Sequence, residues 1–148
     1  MAFQEILGRS IDEITVGDTA FFSKTISETD IYQFAAVTGD FNPAHVNEAY
    51  AEGTFFKRRI AHGMLTVSLV SNILGTQLPG PGTIFVSESV SFMKPVYIQD
   101  TIEASVKIVE IDHTRNRIRF EAACINQHDD QVLHAEGIVM PPKKRRAP

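Results

Sequence analysis

Residues 63–75 read GMLTVSLVSNILG, and the apolar side chains in this run occupy most of the circumference of a helix. Only Thr66, Ser68, Ser71 and Asn72 interrupt Met64, Leu65, Val67, Leu69, Val70, Ile73 and Leu74. A helix apolar on nearly every side has to be covered by other elements. Gly75 and the cluster Pro79-Gly80-Pro81-Gly82 stop it. The cover is found downstream. Ile84, Val86, Val90 and Phe92 alternate with serines, Ile102 to Ile108 alternate with polar residues, and Ile118 to Cys124 repeat the pattern. Leu133 to Val139 close the series, and turn residues at 99–100, 114–116 and 128–130 separate the runs. Period-two patterning of this kind predicts an antiparallel meander with one wet face. The expected fold is therefore α+β, an antiparallel sheet curled around one long helix.

Upstream, Thr19 to Lys24 reads as a strand after the turn residues Gly17-Asp18. Ser27 and Asp30 form a capping box ahead of a helix carrying Ile31, Phe34 and Ala35, and Gly39 closes it. Asn42 as N-cap and Pro43 at the first position predict a second helix over 44–52, ended by Gly53. The stretch 54–60 reads as a loop holding Lys57, Arg58 and Arg59.

The chain has 148 residues, 43% of them hydrophobic, which suits one domain over 1–141 with a basic tail at 142–148. Four cations at 143–146 lie in that tail, so the rest of a chain of net charge −4 carries −8. A body that acidic is a poor partner for nucleic acid, whose phosphates need clustered cations. The tail itself reads as a solvated, disordered end. Cys124 is the sole cysteine and lies in an apolar strand, so it reads as a core residue, and no internal disulfide can form. The five histidines lack a zinc-binding spacing, so no metal is expected. The first residues, MAFQEILGRSIDEI, do not read as a signal peptide, and no apolar run approaches the roughly 20 residues of a membrane span. A cytoplasmic protein without a membrane partner is expected.

Two strings carry candidate chemistry, Gly39-Asp40-Phe41-Asn42-Pro43-Ala44-His45 and Ala61-His62-Gly63-Met64. Asp40 precedes a helix start and His45 lies in its first turn, so both side chains can face one point and hold a water between them. The positive end of the helix favours carboxylate over imidazolium, leaving His45 neutral and Asp40 ionised. The same residues also make an ordinary turn and cap, with Asp40 as turn former and Asn42 as cap. Gly63 opens the buried helix, where unpaired amides could stabilise an oxyanion, or where a small residue simply permits close packing. His62 reads equally as a structural or a functional residue.

The strings Thr38 to His45 and Arg59 to Leu65, with the Pro-Gly loop and four-strand second half, resemble the MaoC-like hydratases, in particular the (R)-specific enoyl-CoA hydratases. The resemblance spans residues 12–141. It implies a hot-dog fold paired into a homodimer or higher homo-oligomer. It also implies addition of water to trans-2-enoyl-CoA to give (R)-3-hydroxyacyl-CoA, reversibly. In that reading Asp40 and His45 hold the attacking water, Asn42 organises their loop and the Gly63 amide binds the thioester oxygen. Ser71 falls where the family has a serine near the pair, or serves as a small packing residue. His62, Met64 and Leu65 would line the substrate site. Lys57, Arg58 and Arg59 would meet coenzyme A phosphates or form a solvated loop. No cofactor is implied beyond the coenzyme A of the substrate. The rival functions are thioester hydrolysis on the same fold and non-catalytic binding of an acyl thioester. Chain length, carrier (coenzyme A or acyl carrier protein) and pathway are left open.

Overall fold

The computed structural model describes residues 6–144. A short 3-10 turn at Ile11–Glu13 leads into β1 (Thr19–Thr25), then α1 (Glu28–Thr38), α2 (Pro43–Val46), α3 (Glu48–Glu52) and α4 (Gly63–Thr76). The second half is β2 (Ile84–Phe92), β3 (Thr101–Asp112), β4 (Arg117–Ile125) and β5 (Gln131–Met140).

Local chemistry accounts for the helix ends. Ser27 Oγ accepts from the Asp30 amide at 3.1 Å while the Asp30 carboxylate accepts from the Ser27 amide at 2.9 Å, closing the expected box. Gly39 takes a left-handed φ of 79° and donates to Ala35 O, which ends α1 and turns the chain toward Asp40. The single helix expected over 44–52 is instead two. Asn47 adopts an extended conformation, φ −125°, and its side chain accepts from the Tyr50 amide, so it ends α2 and caps α3. An Asn side chain offers the backbone this alternative to continued helix.

The five strands form one antiparallel sheet in the order β1-β3-β4-β5-β2. Only β3-β4-β5 is a meander. β2 crosses to the far edge beside β5, so the two edges are β1 and β2. The inner face stacks Ile108 across from Phe120, Ala104 across from Cys124, and Cys124 across from Leu133. All of these are fully buried, and each large apolar side chain among them is worth about 1.5–3 kcal/mol relative to exposure. Burial also pushes the Cys124 thiol up to about 12, as suits a core residue. Gly137 is required on β5: a Cβ there would meet Ser87 O at 2.2 Å and the Phe120 ring at 2.9 Å.

α4 lies against this face, meeting β1, β2, β3 and β5, with Val67, Val70, Ile73 and Leu74 buried. The helix is not covered all round. Met64, Ser68, Ser71 and Gly75 form an exposed stripe along it. β2 departs from expectation in the same way: after a bulge near Val86 its one apolar side chain packed on the core is Val90, while Ile84, Val86 and Phe92 are exposed. Pro141 and Pro142 are buried, with Pro142 beside Gly82, so the packed body continues through Pro142. Lys143 and Lys144 are exposed, and Arg145 and Arg146 of the expected tail lie outside the described residues. No helix among the described residues is long and apolar enough to cross a membrane.

Candidate active site

The turn after α1 and the short helix α2 fix the first two candidate residues. Asn42 Oδ1 accepts from the Ala44 amide at 3.1 Å, starting α2, and Asp40 Oδ1 accepts from the Asn42 amide at 3.1 Å. The Asp40 amide donates to Thr38 Oγ1. Asp40 is thus anchored through backbone and one carboxylate oxygen, leaving the second oxygen uncommitted by the protein. Asn42 is the N-cap of α2, as expected.

His45 is held by the segment that precedes α4. Its Nδ1 lies 2.7 Å from Ile60 O, while the Ile60 amide donates to Ala44 O. A carbonyl only accepts, so Nδ1 carries the proton and Nε2 presents a lone pair. Burial holds the His45 imidazole below its ordinary range. The Ile60 carbonyl and the Asp40 carboxylate oppose that shift, and neighbouring His62 adds to it. Burial, the largest cause, thus pushes the ring toward the neutral form expected of it. Four residues of helix are in any case a weak dipole.

A carboxylate oxygen of Asp40 and ring nitrogens of His45 and His62 lie within 4.8 Å of one another. One water making two hydrogen bonds of about 2.8 Å spans such a gap. Among the described residues this is also the one trio of metal-ligand types. His45 Nδ1 and His62 Nε2 are already committed to carbonyls, and His62 Nδ1 is buried. One Asp40 carboxylate oxygen and His45 Nε2 are then left without a protein partner, a pair suited to orienting a water.

His45 opens onto a cavity of about 520 Å³ whose wall is largely apolar. Phe55 and Phe56 from the loop after α3, Phe92 from the end of β2, Val96 from the loop that follows it, and Val132 and Leu133 from β5 supply much of it. Sequence patterning alone did not single out these residues, because four separate segments bring them together. Gly63 and Met64 line the same cavity. Gly63 is the first residue of α4, and its amide donates to no backbone carbonyl or side chain of the described residues, as expected at a helix start. It also meets its second expectation: a Cβ would come within 2.7 Å of the Phe92 ring.

Asp40, which is exposed, and Asn42 are not among the residues of the cavity wall, and neither are six further expected site residues. His62 is buried behind His45, Leu65 packs against the core, and Ser71 is exposed on the outer stripe of α4. Arg59 is the clearest correction. It is 7% exposed, with Nε donating to His45 O at 2.7 Å and Nη1 to Glu28 Oε1 at 2.6 Å, so it braces the site and is not free for a phosphate. Lys57 and Arg58 are exposed, with the Arg58 guanidinium 3.9 Å above the Tyr97 ring.

Comparison with known proteins places the chain in a family. Residues 14–129 match the MaoC like domain family. An (R)-specific enoyl-CoA hydratase of Rhodospirillum rubrum is 42% identical over 144 residues, covering 97% of this chain and 99% of that protein. A 3-hydroxybutyryl-CoA dehydratase of Methylorubrum extorquens is 42% identical over 136 residues, covering 92% and 86%. Among solved structures, an unliganded R-hydratase from Pseudomonas aeruginosa superposes with a TM-score of 0.86 at 37% identity, covering 97% of this chain and 96% of that one. Fold, site and similarity together make this chain a member of the MaoC-like domain family.

Proposed function

We propose that the chain is an (R)-specific enoyl-CoA hydratase, a hydro-lyase that adds water to trans-2-enoyl-CoA and reversibly yields (R)-3-hydroxyacyl-CoA. The observation that carries this reading is His45 on the wall of an apolar cavity, with Nδ1 committed to Ile60 and an Asp40 carboxylate oxygen within 4.8 Å of its ring nitrogens. The (R) outcome rests on the named relatives.

In the proposed reaction the thioester carbonyl accepts a hydrogen bond from the Gly63 amide. Water held between Asp40 and His45 attacks the β-carbon as its proton passes to the pair. The π electrons move to the thioester oxygen, giving an enolate that a fixed donor stabilises better than mobile solvent. Protonation of the α-carbon re-forms the carbonyl and completes the product. His45 is suited to the base role because burial favours its neutral form and its Nδ1 proton is pinned by Ile60 O. No cofactor takes part beyond the coenzyme A carried by the substrate, and the site acts in the cytoplasm.

The functional unit is proposed to be a homodimer joined along β2. Support comes from the exposed apolar residues Ile84, Phe85, Val86 and Phe92 on this edge, since native proteins rarely leave such an edge uncovered.

One assay tests the reaction. Crotonyl-CoA incubated with the protein should lose its conjugated-alkene absorbance without releasing free thiol. Thiol release at the rate of absorbance loss would instead identify a thioesterase, and neither signal would identify a binding module.

A further inference from the structure

His62 is missing from the cavity wall, yet it touches both members of the proposed pair. Its ring stacks on His45 with centroids 3.9 Å apart and an interplanar angle of 29°. Phe34 of α1 packs on it as well, at 4.9 Å, so the three rings run in series from helix α1 to the cavity. Its Nε2 lies 2.9 Å from the Asp40 carbonyl oxygen and must therefore carry the proton. Its Nδ1 is buried with no partner. A histidine retained with one nitrogen unsatisfied costs stability that an apolar ring of similar shape would not.

We infer that His62 is a positioning residue for the hydration: its Nε2–H fixes the Asp40 backbone and its ring face fixes the plane of His45, setting the distance between the two groups. The inference rests on the Asp40–His45 reading. Among the described residues His62 is the side chain that engages one group by a hydrogen bond and the other by a ring stack. Those two means are separable by substitution. His62→Phe keeps the stack between Phe34 and His45 and loses the donor. His62→Gln keeps a donor able to reach the Asp40 carbonyl and loses the stack.

The experiment is steady-state hydration of crotonyl-CoA by the full chain, normalised to the folded fraction from circular dichroism. Both variants should lower kcat by about 10- to 100-fold, the effect expected of misplacing a reacting group by about 1 Å, with KM within about twofold. His62→Ala, losing both contacts, should lie lower than either. In an Asp40→Asn background, His62→Phe should cost nothing further, because the contact it loses acts through Asp40. A native kcat in His62→Phe and His62→Gln, or a loss that tracks the unfolded fraction, overturns the inference. The parent reading fails differently, on near-native rates in Asp40→Asn and His45→Ala.

Discussion

The Nδ1–H of His45 donates to the main-chain carbonyl of Ile60 at 2.7 Å, and that bond settles which nitrogen of the ring is left as a base. Protonating Nε2 would abolish its lone pair, and burial already holds the imidazole below its ordinary range of about 6.5. Activity should therefore be full at neutral pH and lost as pH falls through the depressed His45 pKa. The profile of kcat/KM against pH should show an acid limb below about 6.5. A limb centred above 7 would contradict a buried neutral base.

The Gly63 amide is the proposed donor to the thioester oxygen, and two substitutions isolate it. Gly63→Ala and Gly63→Pro both place a Cβ against the Phe92 ring, but only proline removes the N–H. Proline is tolerated at the first position of a helix, and His62 already has the extended ψ of 133° that a following proline prefers. Relative to Gly63→Ala, Gly63→Pro should lower kcat by about 10²–10³. Equal rates in the two variants would remove the donor from the mechanism.

Arg59 joins α1 to α2 through Glu28 and the His45 carbonyl. Arg59→Met keeps most of its apolar stem and abolishes both contacts. The lost charge-assisted bond to a buried carbonyl should lower stability by about 1–3 kcal/mol in urea denaturation. An unchanged midpoint would show that the brace contributes nothing.

Much of this was legible in the sequence, for a local reason. Ser27 with Asp30, Gly39, and Asn42 with Pro43 determine their own turns within a few residues, and those turns aim Asp40 and His45. The buried run of α4 and the alternation of β3, β4 and β5 are likewise periodic signals that need no tertiary context. What could not be read depends on separation. Arg59 looked like one of three solvated cations because Glu28, its partner, lies 31 residues earlier. The stacking of His62 on His45 and the migration of β2 to the far edge are settled only when the sheet closes on α4. The exposed stripe of Met64, Ser68, Ser71 and Gly75 shows that an all-round apolar pattern overstated how fully one chain covers the helix.

On the edge strand, Val86 is 45% exposed beside the β2 bulge. If β2 pairs with its copy, Val86→Lys sets like charges close together across the seam. Light scattering after size exclusion should give twice the 16.4 kDa chain mass for the native protein and the single mass for the variant. A native protein already at 16.4 kDa would sink the dimer.

Glu88 lies on the same strand with Oε1 buried and unpartnered, and burial raises its carboxyl pKa. The sign follows: ionising this group opposes folding, with no penalty below the unfolded pKa and the full penalty above the folded one. Glu88→Gln should thus raise Tm at pH 8, with the gain fading as pH falls toward 4. A lower Tm at pH 8 would mean that the carboxylate has a stabilising partner.

The most direct test of the account is the hydration rate of crotonyl-CoA by Asp40→Asn and by His45→Ala. Each should lose about 10²–10⁴-fold in kcat with the fold retained, as expected on removing a general acid–base partner. Near-native turnover in both folded variants would contradict the assignment of the chemistry to this pair.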